Sequence, residues 1–155
     1  MLILLLLGGC DLSMQKQAKG NPQSSDALWP GGPPRAASPE GTIATDQASR
    51  DVALTTPPPL TEALIDRGQE RYGIFCSVCH GARGEGDGMI VRRGFPQPPS
   101  FHAARLVAAP PAYIVDVITH GHGVMYSYAD RVEPRDRWAI AAYVKALQRV
   151  PQGAR

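Results

Sequence analysis

Five residues constrain this chain more than any others: Cys76-Ser77-Val78-Cys79-His80. The pattern Cys-x-x-Cys-His is the attachment signature of a c-type haem. On a helical backbone, residues three and four apart share a face. Cys76 and Cys79 can then reach two vinyl groups on one porphyrin edge and form thioethers. His80 lies one turn beyond Cys76 and can present an imidazole nitrogen to the iron. One short stretch both staples and ligates a flat cofactor.

The same cysteines fit two other chemistries. A dithiol redox pair wants a strand before it and a helix after it, whereas this motif ends a helical segment. A zinc site needs a second pair of ligands at similar spacing, and no cysteine follows Cys79. Net charge is +2, with no basic stripe interleaved with aromatics, so nucleic acid is not an expected partner. The third cysteine, Cys10, is free for another task, and no structural disulfide is required.

Prolines and glycines number 15 and 16 and are unevenly spread, which divides the chain into an irregular part and a folded part. Residues 1–9 read as a cleaved signal peptide: Met1 to Leu7 is an apolar run too short to span a bilayer. Leu7-Gly8-Gly9-Cys10 resembles the lipobox of bacterial lipoproteins, in which the cysteine takes a diacylglycerol after cleavage. Export and haem support each other, and the expected location is lipid-anchored on the periplasmic side of a bacterial membrane. Residues 10–59 then form a Pro/Gly-rich linker with clusters such as Trp29-Pro30-Gly31-Gly32-Pro33-Pro34 and Pro57-Pro58-Pro59. Without apolar periodicity it cannot offset its ordering entropy and is expected to have no core of its own. It is either a tether with a reach of roughly 40 Å or a strap docked on a partner, with Trp29 as anchor.

Residues 60–150 are the expected folded domain, followed by a tail at 151–155. Thr61 is a good N-cap for a first helix, with Leu64, Ile65, Gly68, Tyr72 and Phe75 on one face. Arg67, Glu70 and Arg71 lie off that face. The run Gly81-Ala82-Arg83-Gly84-Glu85-Gly86-Asp87-Gly88 lacks both the Gly-Lys-Ser/Thr ending and the preceding strand of a phosphate loop. Backbone freedom beside a bulky cofactor is the simpler cause. Residues 94–101 read as an irregular loop. Pro111 opens a second helix with Tyr113, Ile114, Val117 and Ile118 on its apolar face and Gly121 beyond its end. A last helix runs from Pro134 to about Arg149, with a stripe of Ile140, Tyr143, Val144 and Leu147. The fold class is all-α, three to four helices, with no convincing strand.

Helix, haem motif, loop, helix, methionine and final helix follow one another in the order of a class I cytochrome c, which residues 60–150 resemble. That family crosses its first and last helices at a small residue and an aromatic, matched here by Gly68 and Tyr72 and by Tyr143 and Leu147, with Trp138 alongside. Longer strings are similar to the monohaem cytochrome c lipoprotein subunit of bacterial alternative complex III. They include Arg71-Tyr72-Gly73-Ile74-Phe75-Cys76, Gly88-Met89-Ile90-Val91 and Arg135-Asp136-Arg137-Trp138-Ala139-Ile140. The resemblance implies one covalent haem c, with Cys76 and Cys79 as thioethers and His80 and Met125 as axial iron ligands. It also implies a proline carbonyl, Pro98 or Pro99, as acceptor for the other His80 nitrogen. Expected partners are other subunits of a membrane respiratory complex and redox-partner cytochromes or an oxidase.

A thioether ligand favours ferrous iron and raises the potential, and two filled axial sites leave no position for substrate. The expected role is therefore single-electron transfer, with no catalytic residues. His120 and His122 compete with Met125 for the distal position, and Met89 is a further alternative on a short loop. Arg83, Arg92, Arg93 and Arg105 are candidates to pair with a propionate. Two other functions fit the residues: a free lipid-tethered shuttle to a terminal oxidase, and a haem protein with a labile distal ligand.

Overall fold

The computed structural model describes residues 40–150; Cys10 and Trp29 lie outside them. All the helices fall in one compact unit that begins at Ala44. In order they are α1 (Gln47–Thr55), α2 (Glu62–Phe75), α3 (Ser77–His80), α4 (Ala104–Ala108), α5 (Pro111–His120) and α6 (Pro134–Leu147). A single 3₁₀ turn, Val91–Arg93, follows the glycine-rich loop. Among the described residues there is no strand, only an isolated bridge between His122 and Met125. The all-α class I cytochrome c architecture expected from the sequence is the one observed.

The frame is the crossing of α2 and α6. Thr61 caps α2 by accepting a hydrogen bond from the Leu64 N–H at 3.2 Å. The face it starts converges on Gly68 and Tyr72, both buried. A Cβ on Gly68 would collide with the Ala139 carbonyl and crowd the Tyr143 Cβ at 2.8 Å. A side chain at Gly68 would hold the two helices apart, so the crossing needs glycine there. Tyr72, Ile118, Val132, Ile140 and Val144 form the core, with Phe75, Phe101, Tyr128, Tyr143 and Leu147 packed against it.

The polar edge of that crossing is also paired. The Arg67 guanidinium donates to both Asp136 carboxylate oxygens, at 2.8 and 3.0 Å. Arg71 approaches the same carboxylate at 3.2 Å. Arg67 and Arg71, off the apolar face of α2, thus bridge it to the first turn of α6, where an acidic group also suits the helix dipole.

One element departs from the sequence reading. Residues 47–55, inside the stretch expected to lack a core, form α1, and α1 packs on α6. The Trp138 indole N–H donates to the carbonyls of Ala53 and Leu54, both at 3.1 Å. Leu54 packs with Trp138, Val115 and Ala141, and Arg50 pairs with Glu133 at 2.7 Å. The helix has no buried residue of its own, so its short apolar pattern carries little signal. A tertiary partner, α6, supplies what periodicity does not. On α5, Val115 joins Ile118 as a buried residue; the expected stripe omitted it.

Candidate functional site

The expected haem motif is built as its own turn of helix. α2 stops at Phe75, and Cys76 is both its C-cap and the N-cap of α3. The Ser77 hydroxyl donates back to the Gly73 carbonyl at 2.8 Å, a local bond that competes with the regular ladder. Across the break the Cys76 N–H still reaches the Tyr72 carbonyl, and the His80 N–H reaches the Cys76 carbonyl, both at 2.9 Å. Cys76, Cys79 and His80 therefore remain one turn apart, as the motif requires.

A four-residue helix leaves its carbonyls without partners. The glycine-rich loop supplies them. The N–H groups of Gly86, Gly88 and Ile90 donate to the carbonyls of His80, Cys79 and Val78, at 2.9, 3.1 and 3.2 Å. A Cβ on Gly88 would strike the Val78 and Cys79 backbone. The glycines are thus needed first for close backbone approach to α3. From the other side, the Tyr72 hydroxyl donates to the Gly81 carbonyl at 2.6 Å, a buried bond that clamps the residue after His80.

Cys76 and Cys79 are both free, not joined to each other. Burial, and then the neighbouring Cys79, push the Cys76 thiol up to about 12. His80 is moved the other way: burial lowers it to about 4, so its imidazole is neutral at physiological pH, the form that binds a metal. Its Nδ1 is buried and has no hydrogen-bond partner. Neither Pro98 nor Pro99 receives it, contrary to the expectation above; the Pro98 carbonyl instead lies where a Cβ on Gly86 would be. A face of the His80 ring lies against Phe101, with centroids 4.7 Å apart and planes 18° from parallel.

Met125 sits in a tight turn. His122 and Met125 exchange both backbone hydrogen bonds, at 2.9 and 3.0 Å. Gly123 takes φ 58°, and no residue other than glycine has positive φ among those described. Positive φ at the first central position alone is the pattern of a type II′ turn. Met125 is half-buried, while its flanking residues Val124 and Tyr126 are 67% and 86% exposed. Tyr128, three residues on, packs against the same core cluster as Cys76. Burial, and then the Cys79 and Cys76 sulfurs, push its hydroxyl up. The segment after Met125 therefore shares a core cluster with the start of the motif.

The rival histidines, His120 and His122, are both exposed. The His120 Nδ1 lies 2.8 Å from the Asp116 carboxylate one turn back on α5. Met89 is also exposed, on the 41% level. Arg83, Arg92, Arg93 and Arg105 are all exposed.

Arg137 is a site residue that the sequence reading passed over. It is only 2% exposed. Its Nε donates to the Val132 carbonyl at 2.8 Å, one terminal nitrogen to the Thr119 hydroxyl at 3.0 Å, and the other to the Ala129 carbonyl at 2.9 Å. Burial lowers its pKa, and Arg50 lowers it further. Its position was a signal: 137, 140, 141 and 144 follow helical spacing, so the charge lies on the apolar stripe. Phe101 gave no comparable sign, since a loop has no period to read.

Residues 63–144, more than half of the chain, match the family described as cytochrome c oxidase, cbb3-type, subunit III. The chain belongs to this family. It is a c-type cytochrome, and the family implies electron transfer and covalently bound haem c. A chain of the Kuenenia stuttgartiensis reducing HAO-like protein complex is similar to this cytochrome, at 28% identity and a TM-score of 0.53. The likeness covers 61% of this chain and 48% of that one, so the cytochrome spans about half the length of its neighbour. No curated protein matches it. The residues in place fit the implied group: two unpaired cysteines and a neutral, half-buried histidine whose Nδ1 is enclosed lie on one turn.

Proposed function

We propose that this cytochrome is a monohaem electron carrier in which Cys76 and Cys79 hold the haem and His80 and Met125 bind its iron. The observation that carries this is His80: its Nδ1 is buried and its ring is held neutral, on the same helical turn as two free cysteines. When bound, haem c supplies a centre that takes up and releases one electron at a time. The chain's own part is to hold and enclose. α3 sets the two sulfurs and the imidazole on one turn, Tyr72 and the glycine-rich loop lock that turn, and the His122–Met125 turn presents a thioether. Two protein ligands leave no site for substrate, and no group of this chain is asked to move a proton.

The cellular reading goes further. Within a membrane-bound quinol-oxidising complex the subunit would receive electrons and pass them to a redox-partner cytochrome or an oxidase. It would be anchored through a lipid on Cys10 at the periplasmic face of the membrane. Three observations support this: the lipobox-like Leu7-Gly8-Gly9-Cys10, the strings that resemble the alternative complex III subunit, and a structural neighbour that is itself part of a protein complex. No described helix is long and apolar enough to cross a membrane.

Acid–acetone extraction of the purified protein is expected to leave haem on the polypeptide. The oxidised form is expected to show the weak red sulfur-to-iron band, lost in Met125→Ala and kept in His120→Ala and His122→Ala. Haem that extracts cleanly, or a band insensitive to Met125, sinks the ligand assignment. Purification in mild detergent, with identification of every co-purifying subunit, tests the complex. A cytochrome recovered alone favours the free shuttle.

A further inference from the structure

From Gly88 to Val115 the chain carries three arginines and not one carboxylate. Two of them, Arg92 and Arg93, lie in the 3₁₀ turn after the glycine-rich loop. Arg50, Arg67, Arg71 and Arg131 each meet a carboxylate. Arg92 and Arg93 are exposed and meet none among the described residues. Just beyond them Phe95 is 47% exposed, and Met89, before the turn, is 41% exposed. Single exposed apolar residues are ordinary; an aromatic ring beside two unpaired cations on one turn is a narrower pattern.

The turn is stiff and stands out from the domain. The N–H groups of Arg93 and Phe95 both donate to the Ile90 carbonyl at 3.1 Å, and the Gly94 N–H donates to the Val91 carbonyl at 2.9 Å. Gly94 takes φ 97°, with nothing within 4 Å of where a Cβ would lie. Ile90 fastens the turn to α3, its N–H donating to the Val78 carbonyl at 3.2 Å. Residues 92–97 are all exposed. Asp87 shares an open concavity with Met89 and Arg92, but its carboxylate is turned in against Gly81, where a Cβ would strike it. The outer end of the loop is therefore cationic and apolar, and a surface already fixed loses little freedom on contact.

That chemistry fits a lipid surface with anionic headgroups. Guanidinium groups hold phosphates, and a ring enters the boundary between headgroups and acyl chains. We propose that the turn Val91–Arg93, with Phe95, is a bilayer contact that orients the haem domain on an anionic membrane surface. This rests on the reading that the chain is lipid-anchored through Cys10. An anchor there would keep the domain within roughly 40 Å of the bilayer, the reach expected of the stretch that follows it. An acidic protein surface would also take the arginines; the ring and the nearby anchor favour lipid. The anchor supplies attachment and the turn supplies orientation, which decides the side of the cytochrome a neighbouring protein can reach.

The test uses the full chain, loaded with haem and coupled through Cys10 to a maleimide lipid in a supported bilayer. With Cys76 and Cys79 taken up in thioethers, Cys10 is the thiol that reacts. Haem absorbs light polarised in the porphyrin plane, so the dichroism of the tethered layer reads its tilt. Dichroism is expected on bilayers containing phosphatidylglycerol and not on phosphatidylcholine alone. It is expected to be lost in Arg92→Gln/Arg93→Gln and in Phe95→Ser, and kept in Phe95→Trp. Salt at about 1 M, where the screening length is about 3 Å, is expected to abolish it. Each variant is expected to keep the wild-type haem spectrum. An isotropic wild type on anionic bilayers overturns the proposal, and so does a dichroism that the arginine or serine variant leaves unchanged. An altered haem spectrum in Phe95→Ser also overturns it, by placing the ring on the haem. An isotropic wild type whose arginine variant is lost from the detergent-purified complex assigns the turn to an acidic subunit instead. Because the lipid is coupled chemically, the result does not depend on acylation of Cys10 in cells, which lipid labelling tests separately.

Discussion

At the scale of single residues, Gly68 shows how one missing atom sets a fold. α2 and α6 approach until the Ala139 carbonyl occupies the space a Cβ would need. Neither obstacle is the flexible end of a side chain: one is backbone and the other is the Tyr143 Cβ. Gly68→Val is therefore expected to destabilise the folded domain by about 3 kcal/mol, at or above the upper end of ordinary overpacking. Denaturant unfolding of the haem-loaded protein measures it; a loss under about 1 kcal/mol would mean the helices separate freely. Tyr72, one turn on, faces the opposite demand. Its hydroxyl is pushed far up, first by burial, so it stays a neutral donor to the Gly81 carbonyl. Tyr72→Phe leaves that carbonyl unpaired and is expected to cost about 1–2 kcal/mol without releasing haem.

At the scale of elements, Arg137 ties three pieces together: the Ala129–Val132 segment behind Met125, Thr119 on α5, and α6 itself. A planar fork with fixed donors can span those acceptors, and a point charge cannot. Arg137→Lys is therefore expected to loosen the segment after Met125 while keeping the charge. With Met125 as sixth ligand, the pH at which another group replaces the sulfur should then fall. A loosening of about 1.4 kcal/mol corresponds to about one pH unit. Alkaline titration of the red band reads this directly; an unmoved midpoint would show that Arg137 braces α5 and α6 but not the ligand loop. α1 is a second case of an element defined by its neighbour. Its closing carbonyls are held by the Trp138 indole. Trp138→Phe keeps most of the apolar contact and removes the donor. Amide exchange at Ala53 to Thr56 is expected to quicken about tenfold, as for the loss of roughly one hydrogen bond. Protection confined to the same level as before would mean that Leu54 packing alone holds α1.

At the scale of the whole molecule, the haem domain and the N-terminal stretch pose different questions. If residues 10–46 dock on a partner subunit, Trp29→Ala should lower the fraction of this cytochrome retained in a purified complex. Replacement of the stretch by Gly/Ser of equal length should do the same, with haem content unchanged. A simple tether tolerates both changes, because only reach matters to it. The Gly68 crossing followed from the resemblance to class I cytochromes c. The haem motif, the helices α2, α5 and α6 and the Thr61 cap were legible in the amino-acid sequence. Each depends on local spacing or on one residue's stereochemistry, which a chain carries wherever it folds. The tertiary structure decided the rest. Whether a charge at Arg137 is solvated or buried depends on which elements close over it. Whether Phe101 lies idle in a loop or against His80 depends on Gly84, Tyr72 and Gln148, which are distant in sequence. Whether residues 47–55 are helix depends on an indole 85 positions away. Periodicity describes a segment's own face, but partners are chosen only when the faces meet.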